Sequence, residues 1–379
     1  MKKYFLLIVL IFCLTKNYAQ NNQVDSLKFS TETGLLVIEG YINGVKTNFA
    51  FDTGASMGAV TNDNINDAKI VISGAIKIND SQKNKAKMNK AKIDSLRIGS
   101  QIFLDITSVV ADMPFLQCNK LYLLGGDVIN KLNWKFDFQK NMVYFKKTPF
   151  LPQNTMTQMP FKIIGNRHFS NLIIAGTTIE NVLVDFGYAG NCTMDIATKS
   201  TKALIKKQPP ENLLKSKSFS LGINSSSAGK ETNAFFLNSV IFGGVSFNNF
   251  RINAMPNTHN KIGLFFFRKN FDQMIINNTE LTYWLLPNNN APQKTPNFDA
   301  GFYFNDNGKI EVVSLNSAPN NSAKSLYIGQ IVNEINGRKA DSFADRCDFT
   351  AWYFKQIELP KLVVEQLNGE KISIEKSIY

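Results

Sequence analysis

The chain has 379 residues, of which 44% are hydrophobic, and it carries a formal net charge of +12. Such a chain can bury a substantial core and is too long for one ordinary domain, so two or three domains are expected. The lysines are scattered among Asn and Ser, and the single cluster at 83–92 has no interleaved aromatic residues. The charge therefore predicts solvated loops and argues against a nucleic-acid partner.

The N-terminus has the three parts of an export signal. A basic head covers 1–3, an apolar run covers 4–14, and Ala19 offers a small residue for cleavage. Because the apolar run is too short to span a bilayer, residues 1–19 are predicted to be a signal peptide. The residue before Cys13 is not small, which favours a soluble protein, exported to the periplasm or the extracellular space, over a lipoprotein. No later segment reaches transmembrane length, so no integral membrane segment is expected after leader removal.

The remaining cysteines and the histidines give little material for a metal centre. Cys118, Cys192 and Cys347 are far apart and lack CxxC spacing, so neither a disulfide framework nor a zinc site is indicated. The sequence is compatible with one disulfide bridge but does not identify which two cysteines form it. His168 and His259 are the only histidines, and no metal or cofactor is expected.

An internal repeat is the main organising feature of the chain. In the first copy, an apolar strand at 35–40 and an Asn43-Gly44 turn lead into a second strand that ends at Asp52. The second copy repeats the strand, turn and strand over 171–185 and ends at Asp185. Alternating apolar residues around a turn dipeptide predict a β-hairpin in each copy. Both aspartates are therefore expected at the end of a strand.

Further landmarks recur downstream in the same order. Leu123-Leu124-Gly125 in the first half corresponds to Lys261-Ile262-Gly263 in the second, and each is a hydrophobic approach to a glycine. An apolar, tyrosine-bearing stretch follows each of them. Repeats of this kind identify structural units, so two related lobes are predicted, at 28–150 and 160–287.

Each lobe also contains a polar, glycine-bearing segment, at 73–91 and at 216–236. Such segments can form hairpins that project over a cleft. Flexible surface loops have the same composition, so the sequence leaves both interpretations open.

Paired aspartates suit the hydrolysis of a peptide bond. Two carboxylates held close together cannot both ionise easily, so they share one proton. One can then act as a base toward water while the other supplies a hydrogen bond. This chemistry needs no metal and no histidine. Asp52 and Asp185 are therefore the candidate catalytic residues.

The surrounding residues resemble those of a known group, the aspartic proteases of the retropepsin and pepsin type. Asp52-Thr53-Gly54-Ala55 resembles the catalytic signature, and Leu123-Leu124-Gly125 resembles the element that crosses behind it. Asp185-Phe186-Gly187 with Ile262-Gly263 resembles a second, diverged lobe. The resemblance implies a mainly β fold, with two β-barrel lobes around a cleft that accepts a peptide or an unfolded protein. It also implies supporting loops that comprise Thr53, Gly54, Ala55, Gly187, Gly125 and Gly263.

Phe186 departs from the pattern, which has Thr or Ser after the aspartate in both lobes. Thr53 can brace the loop through its hydroxyl, whereas Phe186 has no hydroxyl. Two hypotheses follow: an exported aspartic endopeptidase with an Asp52/Asp185 dyad, or a catalytically inactive envelope protein that binds peptides. A serine protease is disfavoured because no Gly-x-Ser-x-Gly motif occurs.

The end of the chain is predicted to be a separate module. A linker at 288–297, rich in Asn and Pro, precedes residues 298–379, where 322–326 and 328–337 resemble a PDZ domain. The resemblance implies a small α+β domain that binds a C-terminal peptide as an added strand and aids substrate or partner recognition. Bacterial exported proteins with aspartyl-protease lobes and such a domain are the closest resemblance. Since both lobes lie in one chain, a monomer is expected.

Overall fold

The computed structural model describes residues 23–80, 83–223, 226–290, 296–316 and 322–377. The protein is mainly β, as the sequence predicted, with two lobes followed by a C-terminal module that we define as residues 297–377. The predicted signal peptide and positions 291–295 of the predicted linker lie outside the described residues. No helix among the described residues is both long and apolar enough to cross a membrane.

The first lobe is a curved sheet with short helices. Its strands are β1 (Asp25–Ser30), β2 (Val37–Ile42), β3 (Val45–Phe51), β4 (Ala59–Val60), β5 (Val71–Asn79), β6 (Lys85–Ile98), β7 (Gln101–Val110), β8 (Leu121–Leu124), β9 (Asn133–Asp137) and β10 (Met142–Lys146). Its helices are α1 (Asn62–Asp67), α2 (Pro114–Cys118) and α3 (Gly126–Ile129). Phe49, Phe51 and Trp134 are fully buried in its core, which removes large apolar surfaces from water.

The second lobe repeats this architecture. Its strands are β11 (Thr157–Pro160), β12 (Lys162–Ile164), β13 (Arg167–Ile174), β14 (Thr177–Asp185), β15 (Cys192–Asp195), β16 (Leu214–Leu221), β17 (Ser226–Leu237), β18 (Val240–Phe242), β19 (Val245–Phe247), β20 (Phe250–Met255), β21 (Lys261–Gly263), β22 (Phe271–Asn277) and β23 (Thr282–Pro287). Its helices are α4 (Lys199–Lys206), α5 (Leu264–Asn270) and a 3-10 turn at Pro210–Asn212.

A shared sheet joins the two lobes, in the strand order β11-β23-β22-β9-β10-β1. In its middle, β9 of the first lobe pairs antiparallel with β22 of the second, and Trp134 lies opposite Ile276. One continuous hydrophobic cluster extends through both lobes. The lobes therefore fold against each other, and the cleft between them has a fixed floor.

The repeated hydrophobic-glycine segments are strands that lie beside the aspartate-bearing strands. β8 runs parallel to β3, with Leu123 opposite Ala50. In the second lobe, β21 runs parallel to β14, with Gly263 opposite Asp185. Parallel neighbours end at the same edge of a sheet, so each glycine reaches the level of the aspartate.

The two polar segments form hairpins, so the hairpin interpretation is confirmed. β5 pairs with β6 in the first lobe, and β16 pairs with β17 in the second. At the end of the first hairpin, Lys83 makes an ion pair with Asp195 of the second lobe, with 2.6 Å between Nζ and Oδ2. This contact connects the hairpin across the cleft to the opposite lobe.

The C-terminal module packs around a hydrophobic cluster of its own. Asn336 and Gly337 have positive φ angles of 46° and 81°, as a tight Asn-Gly hairpin turn requires. Residues 322–325 form turns. The strands and helices of the module are β24 (Asn297–Phe298), β25 (Ala300–Phe304), β26 (Ile310–Asn316), β27 (Ile331–Ile335), β28 (Arg338–Lys339), β29 (Lys361–Gln366), β30 (Lys371–Ser377), a 3-10 turn at Ala340–Ser342 and α6 (Arg346–Gln356).

Two attachments hold the module against the lobes. β26 pairs antiparallel with β16 of the second-lobe hairpin, with Lys217 opposite Leu315. A disulfide joins Cys118 of α2 to Cys347 of α6 across 229 residues of sequence. A bridge over so long a loop strongly restricts the unfolded chain. The tertiary structure thus identifies the cysteine pair that the sequence left open. Cys192 is a buried free thiol.

Candidate active site

Asp52 lies where β3 ends at the floor of the cleft. Its backbone N–H donates to the carbonyl oxygen of Leu124 over 3.0 Å. Its Oδ1 accepts hydrogen bonds from the N–H groups of Gly54, at 2.8 Å, and Ala55, at 3.1 Å. The Ala55 carbonyl in turn accepts from the N–H of Gly126. The tight turn after β3 therefore fixes the orientation of this carboxyl group.

Asp185 is the last residue of β14, and its carboxylate has a different partner. Lys261 of β21 donates from Nζ to Asp185 Oδ2 over 3.0 Å, and both side chains are largely buried. The ammonium also lies 4.3 Å from the ring centre of Tyr188, a cation–π contact. In the second lobe the aspartate is thus contacted by a buried cation, whereas in the first lobe the aspartate accepts hydrogen bonds from backbone N–H groups.

The structure brings the two aspartates together through the two motif glycines. A Cβ atom at Gly54 would lie 2.5 Å from Oδ1 of Asp185, and one at Gly187 would lie 2.3 Å from Cγ of Asp52. Each glycine therefore contacts the carboxyl group of the opposite lobe. Only a residue without Cβ permits this approach, so the pair requires glycine at both positions.

The other two glycines lie behind the loops that carry the aspartates. A Cβ atom at Gly125 would lie 2.3 Å from the backbone carbon of Met57. At Gly263 it would lie 2.3 Å from the carbonyl oxygen of Tyr188. Both positions are close backbone crossings, which explains a glycine in each copy of the repeat.

Thr53 connects the two loops through its hydroxyl. Its Oγ1 donates to the carbonyl oxygen of Val184 over 2.6 Å and accepts from the N–H of Phe186 over 3.1 Å. One threonine therefore bridges to the second lobe on both sides of Asp185. The reciprocal bridge would require a hydroxyl at position 186, where the chain has Phe186.

Phe186 fills this position by aromatic packing. Its ring is fully buried, with centroid distances of 6.0 Å to Phe51, 5.6 Å to Phe136 and 5.3 Å to Phe267. Aromatic pairs at such distances are attractive beyond their buried area. The second loop is thus held by packing where the first is held by hydrogen bonds.

Phe186→Thr should therefore destabilise the protein although it supplies a hydroxyl at position 186. The substitution leaves a cavity among three aromatic rings, so we expect a loss of about 3–5 kcal/mol in the free energy of unfolding. Urea denaturation measures the effect. The matched control is Phe265→Thr, at a partly exposed ring, which should change stability by less than about 0.5 kcal/mol. Equal effects of the two substitutions would contradict the packing role.

The dyad has unequal electrostatic surroundings. Burial, reinforced by the nearby Asp185 carboxylate, raises the pKa of Asp52 to about 7, although hydrogen bonding from Gly54 and the charge of Lys261 act against the rise. Burial works against the Lys261 ammonium, but the Asp185 carboxylate outweighs it and raises the pKa of Lys261. The arrangement therefore favours a proton on Asp52, while Lys261 forms the ion pair with Asp185.

Both carboxyl groups face a cavity of about 680 Å³ between the lobes and the C-terminal module. Ile78 and Ile223 from the two hairpins line it. Arg167, His259 and Lys261 also line it, although none of them was predicted from the sequence to be a site residue. The sequence did single out Lys261, because the second copy of the repeat has this charged residue at the position where the first copy has Leu123.

His168 is a titratable residue whose contacts are structural. His168 is buried between Tyr283, whose hydroxyl lies 2.9 Å from Nδ1, and Asn130, whose Oδ1 lies 2.6 Å from Nε2. Burial lowers the pKa of His168 to about 3, so this side chain stays neutral. Within the described ranges, no three His, Cys, Asp or Glu side chains are grouped to hold a metal ion.

Comparisons with known proteins find similarities to aspartic proteases. Residues 38–131 match the sequence model of a family described as gag-polyprotein putative aspartyl protease. The chain resembles a retropepsin-like aspartic protease from Rickettsia conorii, with 19% identity over 32% of this chain and 89% of that one and a TM-score of 0.25. It also resembles the aspartic proteinase from Irpex lacteus, with 11% identity over 70% of this chain and 98% of that one and a TM-score of 0.42. No curated protein matches. Residues 38–131 therefore form an aspartyl-protease-like domain within a mainly β chain.

Proposed function

We propose that this protein is an aspartic endopeptidase that hydrolyses peptide bonds with a water activated by Asp52 and Asp185. The observation that carries the proposal is the reciprocal contact of each motif glycine with the opposite aspartate, which brings two carboxyl groups from different lobes to one point in the cleft. Peptides and unfolded chains are the substrates that such a cleft admits.

The unequal surroundings assign a role to each carboxyl group. Asp185, which is ion-paired with Lys261, takes a proton from the water as the water oxygen attacks the peptide carbonyl carbon. Asp52 holds the shared proton and gives it to the carbonyl oxygen, which produces a neutral diol. The C–N bond then breaks as the nitrogen takes the proton from Asp185, and Asp52 recovers its proton from a diol hydroxyl.

A second candidate is an envelope protein that binds peptides without cutting them. Two observations favour it: Lys261 occupies Oδ2 of Asp185 in an ion pair, and Phe186 replaces a bracing hydroxyl. Under this alternative the same cleft binds peptide at every pH and releases it intact.

Peptide cleavage across a pH series separates the two functions. We expect the purified mature protein to cut unfolded casein and mixed-sequence peptides below about pH 7, where Asp52 keeps its proton. An inhibitor that mimics the diol should block the reaction. Tight peptide binding without cleavage at any pH from 3 to 9 would instead establish the second candidate.

Export and a monomeric state complete the proposal. The Cys118–Cys347 bond favours an oxidising compartment, such as the periplasm or the extracellular space, over a reducing cytosol. Both aspartates come from one chain, so a second copy is not needed to form the dyad. The PDZ-like assignment of the C-terminal module also belongs to this proposal, with recognition of a substrate or of a C-terminal peptide as its role.

A further inference from the structure

The cavity that contains the dyad has a wall that neither lobe supplies. Phe302, Val313 and Tyr353 of the C-terminal module line it, together with Asp52 and Asp185. The module therefore contributes directly to the space in which a substrate would react.

The wall faces the cavity because of strand alternation in β26. Val312 points into the core of the module, so its neighbour Val313 points to the opposite face, where it lines the cavity. Val313 is only 5% exposed, yet it belongs to none of the three hydrophobic core clusters among the described residues. Its buried surface is thus directed at the cleft.

The position of this wall is fixed from several sides. The Tyr353 hydroxyl accepts from the N–H of Phe302 over 3.3 Å, which connects α6 to β25. The disulfide ties α6 to α2, and Phe115 of α2 and the preceding residue Met113 line the same cavity. A wall held in this way is a preorganised site, and it does not need to be assembled when the substrate binds.

Resting on the proposed function, we propose that the C-terminal module forms an apolar subsite of the catalytic cleft. An uncharged aliphatic or aromatic side chain of the peptide binds there against Val313 while the scissile bond lies at the dyad. The module thereby determines substrate preference at one position of the peptide. Because the cavity is bounded by both lobes and the module, its substrate is a flexible segment and not a folded domain.

A leucine scan tests the subsite. The probes are fluorescein-labelled Ser/Ala octapeptides in which a single Leu occupies each position in turn. Dissociation constants come from fluorescence anisotropy with full-length mature protein carrying Asp52→Asn, so that cleavage does not interfere. kcat/KM comes from chromatography with the wild-type dyad. We expect Leu to improve both values by about tenfold or more at one position.

Val313→Ser should remove this gain at that position and leave the rest of the scan unchanged. Val313→Phe, which occupies the space, should also remove it. The matched control is Val363→Ser, a half-buried valine of the same module that does not line the cavity, and it should keep the gain. Melting temperatures of all three variants establish that the module stays folded.

The outcomes separate the subsite from the proposed function. A leucine gain that persists unchanged in both Val313 variants would overturn the subsite, whether or not the peptides are cut. A gain that depends on Val313, seen by anisotropy while the wild-type dyad cuts no peptide, would support the subsite and contradict the endopeptidase.

Discussion

Asp52→Asn and Asp185→Asn should each reduce kcat/KM for peptide cleavage by at least about a hundredfold. An amide cannot take up the water proton at position 185, and it cannot transfer the shared proton at position 52. Both substitutions keep the size of the side chain, so the hydrogen bonds that Gly54 and Ala55 donate to position 52 are retained. The measurement is initial cleavage rates of a fixed peptide by wild type and the two variants.

Asp137→Asn is the matched control, since this buried aspartate accepts from the backbone N–H of Lys140 and lies in the sheet that joins the lobes. It should retain more than about half of the wild-type rate. Equal turnover by wild type, Asp52→Asn and Asp185→Asn would refute the dyad.

The Asp52 substitution also has a readout that does not depend on activity. The pKa of Asp52 is about 7 in the folded protein against an ordinary value of 3.8, so between these values the folded state holds a proton that the unfolded chain has released. This group therefore makes the free energy of unfolding fall as pH rises through that window. Asp52→Asn should remove this component of the pH dependence of the free energy of unfolding. The variant should therefore be more stable than wild type above pH 7.

Lys261→Met should change both stability and pH dependence. The substitution leaves the buried Asp185 carboxylate without its cation, and breaking such a pair costs about 3–5 kcal/mol. Lys261 also acts against the rise in the pKa of Asp52, so its removal should move the alkaline limb of kcat/KM to higher pH. Urea denaturation and a pH–rate profile measure the two effects.

Three variants distinguish a positioning role for Lys261 from a general packing role. Lys261→Arg keeps the charge and should keep most of the wild-type profile. Lys261→Met combined with Asp185→Asn should recover much of the lost stability, because no unpaired charge then remains. Lys92→Met removes a cation from an exposed pair with Asp105 and should move neither quantity. A Lys261→Met profile that coincides with wild type would contradict the assigned role.

The repeat made the lobes predictable from sequence because its signals are local. Alternation and the Asn43-Gly44 turn specify a hairpin before Asp52 through short-range geometry, and the structure has β2 and β3 there. The glycines at 54 and 187 were also recognisable, since each follows an aspartate at a strand end. What they contact, the aspartate of the opposite lobe, depends on packing between distant segments.

The sequence by itself determined a mainly β protein with two related strand-to-aspartate units, because side-chain alternation and turn residues act over a few positions of the chain. Only the tertiary structure decided that Lys261 pairs with Asp185, that Cys118 bonds to Cys347, and that Val313 lines the cavity that both aspartates face. Each of these contacts joins segments separated by tens to hundreds of residues. No local pattern encodes such a distance, and the contacts exist only because the lobes and the module pack against one another.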